Sequence, residues 1–137
     1  MFLLDTNAVS ELRRRKRAAP QLLAWADSVD PSRLFLSAIT IFEIEKGALL
    51  LKRRDPARAA VLERWIRNDI LPSFAGRILP FDEVVALQCA PLHVPRTRPE
   101  RDAMIAATAL RYRLTLVTRN ARDFSPMGVP ILNPWEA

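Results

Sequence analysis

The sequence predicts a single α/β domain over residues 1–137: a parallel sheet of four to five strands flanked by helices, an α/β/α sandwich. Three observations predict it. Short apolar runs alternate with helical patterns along the whole chain, the signature of a parallel sheet covered on both faces. The first run is continuous rather than alternating, as in a strand buried on two sides. Length falls within the usual size of one domain, and half the residues are hydrophobic, so a core forms without disulfides or structural zinc.

The elements follow in order. Phe2 to Leu4 reads as a buried strand. Thr6 or Asn7 is placed to cap a short helix through about Arg14. Pro20 opens a second helix, through about Ser28, at the position proline favours. Leu34 to Ser37 is a second strand. A helix runs from Ile41 to about Lys52, with Ile44, Ala48 and Leu51 at helical spacing. Asp55-Pro56 starts another through about Asn68, with Val61, Leu62, Trp65 and Ile66 as its apolar stripe. Arg77 to Leu79 is a short strand, and Asp82 caps a helix through about Cys89. Pro99 opens a helix through about Arg113. Leu114 to Thr118 and Val129 to Leu132 are the remaining strands. The two helices between the second and third strands form a hairpin-like insertion. Their apolar faces exceed what one sheet covers, which marks them as a subunit or partner interface.

Composition narrows the function. One Cys and one His exclude a disulfide framework and a Cys/His zinc site supplied by one chain. Cys89 reads as a small buried hydrophobe. His93 falls in a proline-flanked loop with no partner motif. No apolar stretch reaches the roughly 20 residues that span a bilayer. The apolar start meets Asp5 too soon, and without a basic lead-in, to be a signal peptide. The expected location is cytoplasmic, with no membrane partner. Net charge is +6 at pH 7, and most of the cations are Arg, the side chain that grips phosphate in a two-pronged fork. Solvated helix faces account for such a composition equally well. Clusters at Arg13 to Arg17 and Arg96 to Arg98 favour a phosphate-binding surface, and an acidic protein partner would be attracted just as well.

Four acids stand out against this basic background. Asp5, Glu43, Asp102 and Asp123 each follow an apolar run or lie at a helix start, where α/β sheets keep their ligand sites. Four carboxylates in one cleft raise each other's pKa. A hard divalent cation removes that conflict, and oxygen ligands suit Mg²⁺ or Mn²⁺. Each acid also has a purely structural reading. Asp5 could help cap the next helix, although Thr6 and Asn7 already serve. Thr40-Ile-Phe-Glu43 has the form of a capping box. Asp102 gains about 0.3–1 kcal/mol from the helix dipole, yet it leads a helix of Ala103, Ala106, Ala107 and Ala109 that packs close, and a buried charge needs a partner. Asp123 lies three residues after the potential cap Asn120. Thr118 and Asn120 add neutral oxygens suited to outer contacts with metal-bound water. Glu45 points elsewhere on its helix.

Taken together, Leu3-Leu-Asp-Thr-Asn7, Ser37 through Glu43, Asp102-Ala-Met-Ile-Ala-Ala-Thr-Ala-Leu110 and Leu116-Val-Thr-Arg-Asn-Ala-Arg-Asp-Phe124 resemble the four motifs of PIN-domain proteins. The ending Gly128 to Trp135 resembles the VapC/FitB-like branch. The likeness spans essentially the whole chain and implies a metal-dependent endoribonuclease serving as the toxin of a type II toxin–antitoxin pair. It implies that Asp5, Glu43, Asp102 and Asp123 hold Mg²⁺ or Mn²⁺, with Thr118 as the polar residue on the fourth strand and Thr6, Asn7 and Asn120 as secondary contacts. It also implies an RNA substrate, a homodimer and a small antitoxin with a DNA-binding domain. One segment departs from the pattern: Pro91 to Pro99 is rich in Pro and Arg where a glycine-containing loop is expected. The alternative reading is a non-catalytic partner of a small DNA-binding protein, as in a FitAB-like regulatory complex. A metal-dependent phosphatase of another α/β type fits less well, because Asp5-Thr-Asn7 lacks a second Asp.

Overall fold

In the computed structural model, which describes residues 1–136, five parallel strands form one sheet. They are β1 (Phe2–Leu4), β2 (Leu34–Ser37), β3 (Ile78–Leu79), β4 (Thr115–Val117) and β5 (Ile131–Leu132). Their spatial order is β3-β2-β1-β4-β5. The first strand in sequence is therefore the middle strand in space. Phe2 pairs with Leu34 on one side and with Thr115 on the other. The direction of winding reverses at β1, and the crevice beyond its carboxyl end is where such sheets bind ligands.

Alternate side chains of β1 feed two cores. Leu3 packs with Leu116, Ala103, Ile105, Ala106 and Phe124 on one face. Leu4 packs with Val117, Leu36, Val9 and Ile44 on the other. Burial on both faces is why the strands read as unbroken apolar runs.

The helices are α1 (Thr6–Leu12), α2 (Pro20–Ser28), α3 (Ala38–Lys52), α4 (Pro56–Trp65), α5 (Leu71–Ser73), α6 (Glu83–Cys89), α7 (Glu100–Arg111) and α8 (Ala121–Phe124). Several boundaries differ from the sequence reading, each for a local reason. Asp5, not Thr6 or Asn7, is the N-cap of α1: its carboxylate accepts from the Thr6 amide at 2.8 Å. The helix stops at Leu12, and Arg15–Arg17 form a separate 3₁₀ turn. Ser37 caps α3 by accepting from the Ile39 amide at 3.0 Å, so α3 begins at Ala38, three residues before the expected start. α4 does not end near Asn68. It passes into a π-helical turn at Ile66–Ile70 and then into α5. Pro72 has no amide hydrogen to donate to the preceding turn. The bonding register slips just ahead of it, where the Leu71 amide reaches Ile66 O. Pro99 is the N-cap of α7 rather than its first residue, and the helix ends at Arg111. Asp55 and Asp82 cap α4 and α6 as read from the sequence. β4 keeps only the centre of its expected range, and β3 and β5 keep only the carboxyl ends of theirs.

α7 fits close to the sheet because its inner face is small: Ala103, Ala106, Ala107 and Ala109 are fully buried. On the far side, α3 and α4 pair, and Arg67 clips them by reaching Glu45 and Glu63 at 2.5 Å each. The outer surface of α3 stays uncovered, with Phe42 and Leu50 each 60% exposed. A groove beside it is lined by Ile41, Phe42, Leu49, Leu50, Ile66 and Leu71, among others. No helix among the described residues is long and apolar enough to cross a membrane.

Candidate functional site

Three elements bring acids to the crevice at the end of β1. Asp5 leaves β1 and is fully buried. Glu43 projects from the second turn of α3, and Asp102 from the first turn of α7. All three converge on the guanidinium of Arg101. One terminal nitrogen of Arg101 donates to Asp5 Oδ1 at 2.8 Å, the other donates to Asp102 Oδ1 at 2.7 Å, and Nε donates to Glu43 Oε2. Residues 5, 43 and 102 thus meet around one positive charge.

A ring of hydroxyls fixes the acids. Thr118 Oγ1 donates to Asp5 Oδ2 at 3.0 Å and accepts from the Asn120 amide at 3.0 Å. Thr6 Oγ1 donates to Glu43 Oε1 at 2.5 Å and lies 3.0 Å from Thr40 Oγ1. Thr40 is fully buried inside α3. It is not a helix cap, so the expected capping box with Glu43 does not form. The Glu43 carboxylate is turned to Thr6 and Arg101 instead.

The remaining positions lie further out. Asp123 is exposed and stands apart from the Arg101 fork, but its negative charge is felt at Asp102. Asn120 begins α8 without a side-chain cap bond, and its contribution here is its backbone amide. Asn7 is exposed. His93 holds the Pro91–Pro99 segment together by accepting from the Arg98 amide at 3.1 Å.

The electrostatics follow from burial and pairing. Burial pushes the Asp102 carboxyl above its ordinary pKa, and Asp5 and Asp123 add to this, against the opposing pull of Arg101. Burial works against the charged form of Arg101. Asp5, Glu43 and Asp102 outweigh it and hold the guanidinium above its ordinary pKa. One cation faces three carboxylates, so the pocket stays anionic when all are ionised. Among the described residues, no three acidic, His or Cys side chains stand at a spacing that would hold a metal ion directly. The fork stands between them. Their oxygen atoms are nevertheless the donor type that a hard divalent ion prefers, and they already aim at one cationic point.

Arg101 and Thr40 are the site residues that sequence reading missed. Arg101 sits beside an acid at a helix start, but it is one of 21 Lys and Arg residues. No local pattern singles it out.

The model of the PIN domain family matches residues 2–128. Toxin FitB of Neisseria gonorrhoeae is 41% identical over 98% of this chain and 99% of its own length. VapC ribonuclease Y4jK of Sinorhizobium fredii is 35% identical over 99% of each. The crystal structure of FitAcB from Neisseria gonorrhoeae superposes with a TM-score of 0.90 at 39% identity, covering all of both chains. FitAB bound to a DNA fragment gives a TM-score of 0.87 at 38% identity, covering 98% of this chain and 96% of the other. With the motifs, the strand order and the converging acids in place, these likenesses make the chain a member of the PIN-domain family.

Proposed function

We propose that this protein is a divalent-metal-dependent endoribonuclease acting as the toxin of a type II toxin–antitoxin system. The observation that carries the reading is the meeting of Asp5, Glu43 and Asp102, from three distant parts of the chain, around one cationic point at the carboxyl end of the central strand. Asp5, Glu43 and Asp102 would hold Mg²⁺ or Mn²⁺, with Asp123 beside them. Such an ion supplies Lewis-acid stabilisation of the charge that builds on a phosphodiester during hydrolysis.

The chain's own residues do the rest. Thr118 and the Thr6 amide lock both oxygens of Asp5, so this carboxylate needs no reorganisation. Thr6 orients Glu43 in the same way. Asp123, being exposed, is free to approach a bound group from the solvent side. Arg14 to Arg17, an exposed run after α1, offers cations to RNA phosphates. The uncovered face of α3 and α4 is the proposed seat of a second copy of this chain or of a small antitoxin carrying a DNA-binding domain. The likeness to FitAB on DNA supports an assembly of that kind.

The test is cleavage. Purified protein freed of any partner should cut RNA in Mn²⁺, and EDTA should stop it. Asp5→Asn and Asp102→Asn should each abolish cutting while circular dichroism shows an intact fold. Parent-rate cleavage by both variants sinks the assignment. A second reading has one observation in its favour: Arg101 already fills the point to which the acids aim. A non-catalytic partner of a DNA-binding protein would show no cleavage in Mn²⁺ and would still bind that protein tightly.

A further inference from the structure

We propose that Arg101 is a placeholder cation built into the chain: its guanidinium occupies the convergence point of Asp5, Glu43 and Asp102 and must swing out before a divalent ion can load. The proposal rests on the metal reading of this pocket. Four observations carry it.

The fork contacts all three acids at once, through all three of its nitrogens. This is the role a shared metal would play, performed by a side chain. The acids stand around the fork rather than at metal-ligand spacing, so ion and guanidinium compete for the same space. Arg101 is adjacent in sequence to Asp102, one of the acids it neutralises. That tether keeps the cation permanently available at the pocket, without the cost of recruiting it from solution. Finally, Arg101 is unlike Asp5 in having a way out. Its side chain is 31% exposed while that of Asp5 is wholly buried, and its long flexible stem reaches solvent without moving α7.

The balance between the two cations follows from charge and geometry. A single guanidinium leaves most of the carboxylate charge uncompensated, and a divalent ion compensates more of it. The guanidinium has in its favour directional, charge-assisted bonds that a loading ion must break. Arg101 therefore sets a threshold: the guanidinium fills the pocket at low free metal, and it exchanges at higher metal.

The experiment is Mn²⁺ binding by the full chain, read by titration calorimetry and by loss of the free Mn²⁺ electron paramagnetic resonance signal. Parent, Arg101→Gln, Arg101→Lys and Asp5→Asn are compared. Arg101→Gln should bind Mn²⁺ about tenfold tighter or more, because ion loading no longer has to displace a competing cation. Arg101→Lys should fall between the two, since an ammonium keeps the charge and loses the fork. Mn²⁺ should also raise the melting temperature of Arg101→Gln more than that of the parent. Equal or weaker binding by Arg101→Gln, with Asp5→Asn abolishing the signal, overturns the placeholder and leaves the metal reading standing. No Mn²⁺ binding in any variant overturns both. If Arg101→Gln does not fold, Arg101→Lys decides alone: tighter binding than the parent supports the placeholder, and equal binding ends it.

Discussion

Asp5 serves α1 with one carboxylate oxygen and Thr118 with the other, while Arg101 shares the first. Asn caps a helix about as well as Asp. Asp5→Asn should therefore lose cleavage while calorimetry shows unfolding stability within about 1.5–3 kcal/mol of the parent, the scale of a charged hydrogen bond given up. Glu43 is informative because its structural alternative is now excluded. Glu43→Gln should reduce cleavage strongly and leave helix α3 intact by circular dichroism; a collapse of α3 would show that the Glu43 bonds to Thr6 and Arg101 hold the fold rather than a reacting group. Cys89, the last residue of α6, lies 6% exposed in the core. Burial, with the Glu100 charge, raises its thiol pKa, so less thiolate exists at a given pH. Alkylation of the native protein near pH 8 should be far slower than in denaturant; equal rates would contradict the burial. The acids were legible because strand ends and helix starts are visible in sequence. Arg101 was not, because its meaning lies in residues 58 and 96 positions away.

At the level of elements, the sequence located every strand and the helix starts at Pro20, Pro56 and Glu83, and it erred most at α3, where one residue does two jobs. Ser37 ends β2 and caps α3 without a loop between. Thr40 is the next residue with a hydroxyl, and with Glu43 three residues on it mimics the capping pattern. Ser37→Ala should cost about 0.5–2 kcal/mol by denaturant unfolding, and Thr40→Ala should spare the cap and weaken only the hydroxyl ring around Glu43. Arg113, just past α7, holds a left-handed φ of 56°, a conformation that suits glycine. The strain of an ordinary residue there and the greater unfolded freedom of glycine oppose each other. Arg113→Gly should then stabilise by no more than about 1 kcal/mol, and a clear loss would show that the Arg113 side chain makes a contact that matters. The π-helical turn ahead of Pro72 was beyond sequence reading, since proline ordinarily signals an end rather than a slipped register.

For the molecule as a whole, the α/β class was legible and the strand order was not. Local periodicity reports which segments are strands, while pairing is decided by which faces bury best together. The same limit applies to partners: Phe42, Leu49 and Leu50 form an exposed apolar patch, the kind of surface that a partner covers, and nothing in the patch names an occupant. A charged substitution, Phe42→Asp or Leu50→Glu, should shift the protein to monomers in size-exclusion chromatography with light scattering. An unchanged mass would free that face of any self-association. One feature of the sheet reaches into the life of the protein in the cell. The central strand is made first, yet its outer neighbour β4 is made late, and Asp5 waits for Thr118, 113 residues downstream. At ~5–20 residues per second on the ribosome, roughly 6–23 seconds separate the two. No nascent chain carries the Asp5–Thr118 contact during that interval, so the pocket is closed only after the fourth strand has been made and laid beside the first.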